Sequence, residues 1–232
     1  MLKTIQGKTL LQIHLDRLKK CKKVSDILVA TTTAEADENI YNKAIEWGCK
    51  SYRGSENDVL DRYYQAAKPF RPDWVVRVTS DCPLLDPALV DEVISYTQAN
   101  KADYGTNVIK ELYPDGQDVE VFTFSALEKA WKDATESFNR EHVTPYIRNN
   151  SNLLGGTLFT SVNYSCEEDF SKIRMTVDEP RDFDLIERLV NDLGTEKTWR
   201  EYTLHIILEG LDSINGSIIR NEALVKYLNS KQ

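Results

Sequence analysis

The sequence predicts an α/β protein with a mostly parallel, mixed sheet flanked by helices. Three observations support this class: short apolar runs alternate with amphipathic segments, cap residues mark helix starts, and neither repeats nor linkers interrupt the order. A length of 232 residues suits one large domain or a domain with a small appendage. We expect a main domain over residues 1–195 and a helical extension over 196–232.

The predicted order opens with a helix over residues 9–20. Leu11, Leu15 and Leu18 lie on one face of it at helical spacing. The apolar run 26–32 follows and is typical of a buried strand. An α/β sheet normally begins with a strand, so we expect that first strand to be missing here.

Two further helices follow this strand. The segment 36–48 has a helical pattern that ends at Gly48, a residue suited to a left-handed helix end. The segment 57–68 is predicted to be helical, with Asn57 or Asp58 as its N-cap. Both helices would cover the sheet.

The next strand and helix are the clearest pair in the chain. The alternating apolar run 73–80 predicts a strand. The helix 86–98 begins with Asp86 as a cap and Pro87 in its first turn, which is a standard helix start. The short segment between them is a turn at the end of a strand.

The middle third of the chain is less regular, and the end of the chain is helical. Ser125 and Glu128 have capping-box spacing and predict a helix start at 125. The other predicted elements are, in order, strand 119–124, helix 125–134, strands 153–162 and 172–177, and helices 179–194, 198–210 and 221–230.

Two corners of the chain share one design. RVTSDCPLLD, residues 77–86, ends a strand-like run with Asp81, and RMTVDEPRDFD, residues 174–184, ends one with Asp178. Ligands of open α/β sheets bind beyond the carboxyl ends of the strands, so the two carboxylates can share one Mg²⁺. The alternative is that each aspartate only caps a turn. If they share a cation, we expect the carboxylates roughly 4–7 Å apart.

Composition excludes several classes of function. The net charge of −8 disfavours binding to a nucleic-acid polymer, which usually needs a basic excess. The sequence contains no run of about 18 apolar residues, so no membrane span is predicted. The N-terminus lacks the apolar core of a signal peptide. Four scattered cysteines without a C-x-x-C pair indicate reduced thiols in a cytoplasmic protein, and three histidines give little support to zinc.

Six stretches together resemble the cytidylyltransferase family that includes acylneuraminate and 3-deoxy-manno-octulosonate cytidylyltransferases. The closest likeness is to the branch named for spore coat polysaccharide biosynthesis protein F. The stretches occur in family order and cover most of the first 190 residues. They are GKTLLQIHLDRLKKC (7–21), ILVATTTAEADENI (27–40), RGSENDVLDRYYQAA (53–67), RVTSDCPLLDPALVD (77–91), REHVTPYI (140–147) and TVDEPRDFDLI (176–186).

The resemblance implies a fold like that of nucleotide-diphospho-sugar transferases, which is Rossmann-like. It implies transfer of CMP from CTP to a sugar or sugar acid for surface polysaccharide synthesis, with Mg²⁺ as cofactor. Asp81 and Asp178 match the family's metal-holding, catalytic aspartates. Because the sugar hydroxyl is the nucleophile, no Ser/His or Cys/His triad is needed. The family also implies a homodimer through the middle segment.

The resemblance also assigns binding residues. The family's loop near the base and ribose maps onto residues 53–58. The nucleotide-binding residues expected here are Lys8, Arg53, Gly54, Ser55, Asn57, Asp58, Arg77 and Ser80. The substrate-binding residues expected are Gln117, Asp118, Glu120 and His142.

Each of the more central assignments has a structural alternative. The 116–122 segment can be a solvated edge strand, and His142 can pack in a helix under Pro145. Arg77 alternates with Val76 and Val78, so it needs a partner on its own face. That partner is either a nucleotide or an acidic side chain.

One departure from the family lies at the start of the sequence. The family opens with a strand and a glycine-rich loop whose arginine and lysine clamp the triphosphate, and this sequence begins near the later Gly7 and Lys8. Either the start codon is misassigned or the chain is a truncated relative. We expect weak CTP binding without that loop, because charge-assisted hydrogen bonds contribute about 1.5–3 kcal/mol each.

Two other functions compete with cytidylyl transfer. A glycosyltransferase of related fold would need a D-x-D triplet, but Asp81 is followed by Cys82 and Pro83. A non-enzymatic relative that keeps the fold is favoured by the departure at the start of the sequence.

Overall fold

A computed structural model describes residues 1–211 and 222–230. Helices and strands alternate as the sequence predicts, and the α/β class is confirmed. The strands are β1 (Thr4–Ile5), β2 (Lys8–Thr9), β3 (Leu28–Thr32), β4 (Lys50–Gly54), β5 (Trp74–Arg77), β6 (Tyr104–Thr106), β7 (Glu120–Thr123) and β8 (Ser161–Asn163).

The helices cover most of the remaining chain. They are α1 (Leu10–Leu18), α2 (Glu38–Glu46), α3 (Val59–Ala67), α4 (Pro87–Ala99), α5 (Phe124–Asp133), α6 (Ser137–His142), α7 (Pro145–Asn149), α8 (Pro180–Leu193), α9 (Trp199–Glu209) and α10 (Glu222–Ser230). Short 3₁₀ turns occur at Glu35–Asp37 and Asn152–Leu154. In the part of the chain that the structure describes, no helix is long and apolar enough to cross a membrane.

The strands form three groups. β1 and β2 make an antiparallel hairpin before the first helix, and β3 pairs with β4 in parallel. The largest group has the order β5-β7-β6-β8, with β6–β8 parallel and the other two pairs antiparallel. The pairings are therefore mixed.

Helices pack on both faces of the largest group of strands. On β5, Trp74 and Val76 contact a core cluster formed with α1, α4, α8 and α9, whereas Val75 contacts a second cluster formed with α3 and α5. β7 divides in the same way, with Val121 in the first cluster and Phe122 in the second. The strand alternation predicted for residues 73–80 thus decides which face Arg77 occupies.

Two predicted strands are largely wrong. In the segment 153–162 only the end joins a strand, because a 3₁₀ turn precedes Gly155, which has a φ of 82°. The segment 172–177 is extended, but its main chain bonds in turn to Asp115 and to Asp81, neither of which lies in a strand. Strands β4 and β6 and the β1–β2 hairpin were not predicted, since their sequences are short and polar.

Predicted caps were mostly correct. Asp58 and Asp86 cap α3 and α4 by accepting hydrogen bonds from main-chain N–H groups, and Pro87 opens α4. The capping box predicted at Ser125 is wrong, because Thr123 caps α5 two residues earlier.

The C-terminal helices pack on the main core. Trp199 and Tyr202 of α9 and Leu228 of α10 belong to the first cluster. Residues 212–221 and 231–232 of the expected extension lie outside the described residues. The boundary after residue 195 stays a prediction.

Arg17 connects the N-terminal helix to the loop before α9. Its side chain is 2% exposed and donates to the carbonyls of Leu85, Thr195 and Lys197. A buried guanidinium can satisfy three carbonyls at once because its donors form a rigid fork.

We expect Arg17→Met to destabilise the fold by more than about 3 kcal/mol, because the loss of each charge-assisted hydrogen bond costs about 1.5–3 kcal/mol. Denaturant unfolding measures the change. Arg188→Met, which breaks an exposed ion pair with Asp192, is the matched control and should cost under about 1 kcal/mol. Equal losses in the two variants would contradict the role given to Arg17.

Candidate active site

The Asp81 corner follows strand β5 directly. Residues 78–81 leave the strand, and two turns close with Cys82 N donating to the Thr79 carbonyl and Leu85 N donating to the Cys82 carbonyl. Burial raises the pKa of the Cys82 thiol, and neighbouring Asp81 raises it further. Cys82 is therefore a packing residue of the corner, as expected.

Helix α1 holds this corner from one side. His14 Nδ1 lies 2.7 Å from the Cys82 carbonyl, and Arg17 Nε donates to the Leu85 carbonyl at 2.9 Å. Both side chains are almost fully buried. Burial lowers the pKa of His14 to about 4, so the ring is neutral at pH 7 and Nδ1 carries the donated hydrogen.

Gln117 holds the corner from the other side. Its Nε2 donates to the Leu84 carbonyl at 3.2 Å, and its Oε1 accepts from Asp86 N at 2.9 Å. Asn107 Nδ2 donates to the Gln117 carbonyl at 2.7 Å. The prediction that Gln117 contacts sugar hydroxyls is wrong, because the side chain is fully buried and its amide is used inside the fold.

The two corners predicted to converge are joined by their main chains. Val177 N donates to the Asp81 carbonyl at 2.8 Å, so Asp178 follows the residue bonded to Asp81. Thr176 Oγ1 donates to Asp81 Oδ2 at 3.3 Å. The structure brings the corners together, and the separation of the two carboxylates stays a prediction.

Asp178 shares Arg174 with two other aspartates. Arg174 bonds to Asp178, to Asp115 at 2.9 Å and to Asp182 at 3.3 Å. Asp182 also accepts from the main-chain N–H groups of Asp178 and Glu179, which closes the capping box of α8. Arg174 thus keeps two partners if Asp178 turns away.

The donor set at the joined corners fits Mg²⁺. Asp81 makes no ion pair with any described residue, and the Asp178 side chain is 56% exposed although its partner Arg174 is only 23% exposed. Within residues 1–211 and 222–230, no three acidic, His or Cys side chains form a metal site by themselves. Mg²⁺ commonly takes one or two carboxylates and completes its octahedron with phosphate oxygens and water.

A cavity of about 300 Å³ lies beyond β5 and β7. It includes four residues expected in the site, namely Arg77, Asp118, Glu120 and His142. Sequence reasoning did not single out Arg148, which also lines it. The position of Arg148 just after the REHVTPYI stretch was the available signal.

Arg77 has an acidic partner on its own face of the sheet. Its Nη1 lies 2.6 Å from Glu120 Oε2, and the Tyr104 hydroxyl donates to Glu120 Oε1 at 2.6 Å. The structural alternative considered for Arg77 is therefore correct. Arg77 Nε is buried without a partner among the described residues, so the side chain retains a donor.

His142 stands at a strained turn. The next residue, Val143, has φ 73° and ψ −62°, and Thr144 N donates to the His142 carbonyl at 2.9 Å, as in a γ-turn. A buried β-branched residue at positive φ is a true outlier, and such strain clusters at functional sites. The turn separates α6 from α7 and leaves His142 exposed at the cavity.

The predicted base and ribose loop is braced within the fold. Arg53 donates to the carbonyls of residues 32–34, and Asp58 holds Arg140 through both carboxylate oxygens. Ser55 Oγ accepts from the main-chain N–H of Asp58. These side chains shape the loop, and their contact with a nucleotide stays a prediction.

The other expected nucleotide-binding residues are spread more widely. Gly54 lies against Tyr52 and Arg62, Asn57 and Ser80 are exposed, and Lys8 pairs with Asp16 at 2.7 Å. The ion pair of Lys8 is exposed and therefore easily exchanged for a phosphate.

Comparison with known proteins decides the family. The family model described as cytidylyltransferase matches residues 1–214.

This chain belongs to the cytidylyltransferase family.

Relatives support that assignment. An uncharacterized protein of Methanocaldococcus jannaschii is 45% identical over 178 residues, which are 76% of this chain and 70% of the relative. The spore coat polysaccharide biosynthesis protein SpsF of Bacillus subtilis is 28% identical over 200 residues, covering 84% and 80%. A solved cytidylyltransferase of Leptospira borgpetersenii has a TM-score of 0.85 and 30% identity, covering 95% of this chain and 91% of that chain.

A more distant structure shows the shared fold alone. CMP:2-keto-3-deoxy-manno-octonic acid synthetase, solved with CTP, has a TM-score of 0.57 and 13% identity, covering 82% of this chain and 91% of that chain. The chain is thus a nucleotidyltransferase of the cytidylyl-transferring kind.

The neutral His14 predicts a pH-dependent stability of this cytidylyltransferase. Its pKa is about 4 in the folded state and about 6.5 when unfolded, so the unfolded chain binds the proton between these values. Stability should therefore fall as pH drops from 6.5 to 4, by on the order of 3 kcal/mol. Urea unfolding across this range measures it.

The variant His14→Gln retains an amide donor for the Cys82 carbonyl and should lose this part of the pH dependence. The same exchange at exposed His142 is the control. A pH dependence in His14→Gln identical to that of the wild type would disprove the assignment.

The strain at Val143 predicts an unusual order of stability. Glycine tolerates positive φ and alanine does not, so Val143→Gly should be more stable than Val143→Ala by about 1 kcal/mol. Val93, equally buried in α4, is the matched control, and there glycine should be less stable by about 1 kcal/mol. Thermal and urea unfolding of the four variants decide the matter, and the same order at both sites would contradict the strain.

Proposed function

We propose that this cytidylyltransferase transfers CMP from CTP to a hydroxyl of a sugar or sugar acid used in surface polysaccharide synthesis. The observation that carries the proposal is the hydrogen bond from Val177 N to the Asp81 carbonyl, which joins the two aspartate corners beside the cavity. The acceptor class rests on relatives. SpsF is named for spore coat polysaccharide biosynthesis, and a 3-deoxy-manno-octulosonate cytidylyltransferase of Geotalea daltonii is 36% identical over 93 residues.

Asp81 and Asp178 would hold Mg²⁺, since Asp81 has no competing cation among the described residues and Arg174, the partner of Asp178, has two other aspartates to bond. When bound, the ion neutralises charge on the phosphates of CTP. The corner supplies a fixed carboxylate because His14, Arg17 and Gln117 hold its main chain. Such fixed placement is the main protein contribution to phosphoryl-group transfer.

The cavity would bind the acceptor. Arg148 makes no ion pair with another described residue, and His142 lies exposed beside it. Asp118 presents carboxylate oxygens that can accept from sugar hydroxyls, whereas both oxygens of Glu120 are already bonded, to Arg77 and to the Tyr104 hydroxyl. The acceptor oxygen would then attack the α-phosphorus of CTP, and pyrophosphate would leave.

The nucleotide would lie along the loop 53–58, with Lys8, Arg77 and Ser80 as further contacts. Arg77 lines the cavity and would meet the ligand there. Arg53 and Asp58 contribute by holding the loop in shape.

We also propose a cytoplasmic homodimer. The four cysteines are free and buried, which suits a reducing compartment. Exposed Leu153, Leu154 and Leu158 place apolar surface on the middle segment expected to form the dimer.

Pyrophosphate release tests the proposal. The chain is incubated with CTP, Mg²⁺ and each of a panel of sugars and sugar acids that includes 3-deoxy-manno-octulosonate and N-acetylneuraminate. Release that requires both CTP and one acceptor supports the function, and omission of Mg²⁺ should abolish it. The proposal is overturned if pyrophosphate is released from CTP equally well without any acceptor, or if no pyrophosphate is released with any acceptor of the panel.

Asp81→Asn should lower turnover by about 100-fold or more while the melting temperature stays within a few degrees, because the charge serves ligand binding and not the fold. Asp26→Asn, at the exposed start of the β3 segment, is the control and should keep full turnover. Unchanged turnover in Asp81→Asn, or its unfolding, would favour a turn-capping role for Asp81.

A further inference from the structure

Asp118 sits between two anchored neighbours at the cavity. Gln117 is fixed to the Asp81 corner, and Val119 N donates to Asn107 Oδ1 at 2.9 Å. Gln117, Val119 and Asn107 are each no more than 1% exposed. The main chain of Asp118 is therefore held on both sides, while its side chain is open to the cavity.

Glu111 of the preceding loop also lines the cavity, but two other nearby carboxyl groups are already bonded. Glu120 holds Arg77 and the Tyr104 hydroxyl, and Asp115 pairs with Arg174. Asp118 makes no hydrogen bond or ion pair with another residue in the described ranges. Both of its oxygens are thus free to accept from a ligand.

The charges around Asp118 come from every adjoining element. The carboxylates are Asp115 and Glu111 of the preceding loop, Glu120 of β7 and Asp81 of the corner. The cationic side chains of the cavity are Arg77 of β5 and Arg148 of α7, with His142 of α6 beside them.

The effect of the carboxylates on the pKa of Asp118 is larger than that of the cationic side chains. Burial raises the pKa of Asp118 to about 7, and the carboxylates of Asp115, Glu120, Glu111 and Asp81 add to the rise. The side chain is still reached by solvent through the cavity, as a group that exchanges protons must be.

We propose that Asp118 is the general base that takes the proton of the acceptor hydroxyl. This role rests on the proposed function. As the acceptor oxygen forms its bond to the α-phosphorus of CTP, its O–H bond breaks and the proton passes to the Asp118 carboxylate. The bond from the α-phosphorus to the bridging oxygen breaks, and pyrophosphate leaves with that electron pair. Solvent then takes the proton from Asp118.

The placement suits the chemistry for two reasons. A general base works best when its pKa lies near the working pH, since it is then ionised and still basic. Gln117 also joins the segment that carries Asp118 to the corner that carries Asp81, so the proposed base and the phosphate-binding side have a fixed relative position. Turnover should accordingly fall as pH drops below about 7.

Asp118→Asn tests the role through the pH dependence of pyrophosphate release, with the acceptor selected by the panel above. We expect kcat to fall by about 100-fold or more, KM for the acceptor to stay within about threefold, and the acidic limb near pH 7 to disappear. Glu111→Gln is the matched control. It removes one repelling carboxylate, so it should move the acidic limb to lower pH without abolishing it.

A second measurement needs no acceptor. With ¹³C-labelled aspartate, one carboxyl resonance should titrate near pH 7 in the wild type and be absent in Asp118→Asn. A wild type without such a resonance overturns the role, as does an Asp118→Asn variant with wild-type kcat. If the wild type releases no pyrophosphate with any acceptor, the proposed function fails and this role fails with it.

Discussion

Three buried polar side chains, His14, Arg17 and Gln117, hold the main chain of residues 82–86, and the site depends on this hold. The segment is irregular, so without these partners the carbonyls of Leu84 and Leu85 would lack hydrogen bonds, at a cost of about 1–3 kcal/mol each, and that of Cys82 would keep only the bond from Leu85 N. Because these main-chain groups are bonded from both sides, the turn that follows strand β5 has a fixed position. Asp81 is therefore attached to a segment whose main chain is held in place.

The same hold links distant parts of the sequence. Arg17 also reaches the carbonyls before α9, and Gln117 lies one residue before Asp118. A substitution in helix α1 can therefore shift both the Asp81 corner and the cavity. Catalytic geometry is often lost by shifts of about 1 Å, so residues without contact to substrate can matter for turnover.

Much of the fold was predictable because local chemistry agreed with the final structure. Asp86 and Pro87 begin α4, Asp58 caps α3, and the apolar alternation of 73–80 gives β5. The strand predicted over 172–177 failed because its partners, Asp81 and Asp115, are separate turns that no local pattern reveals. The convergence of the two corners was predicted because each one ends a strand-like run with an aspartate. The burial of Gln117 and the ion pair of Arg77 were not decided, because a polar side chain next to apolar ones fits both a core and a site.

The sharing of Arg174 among Asp115, Asp178 and Asp182 leaves an excess of negative charge next to Asp81. Repulsion of this kind weakens a fold, and it persists where the charges serve a ligand. Laboratory evolution for heat resistance alone would therefore accumulate a neutral residue at Asp115, whose pKa is raised by burial, whereas Asp182 caps α8 and would be retained. Libraries built on this chain need a screen for catalysis at every round, or the most robust descendants will be inert.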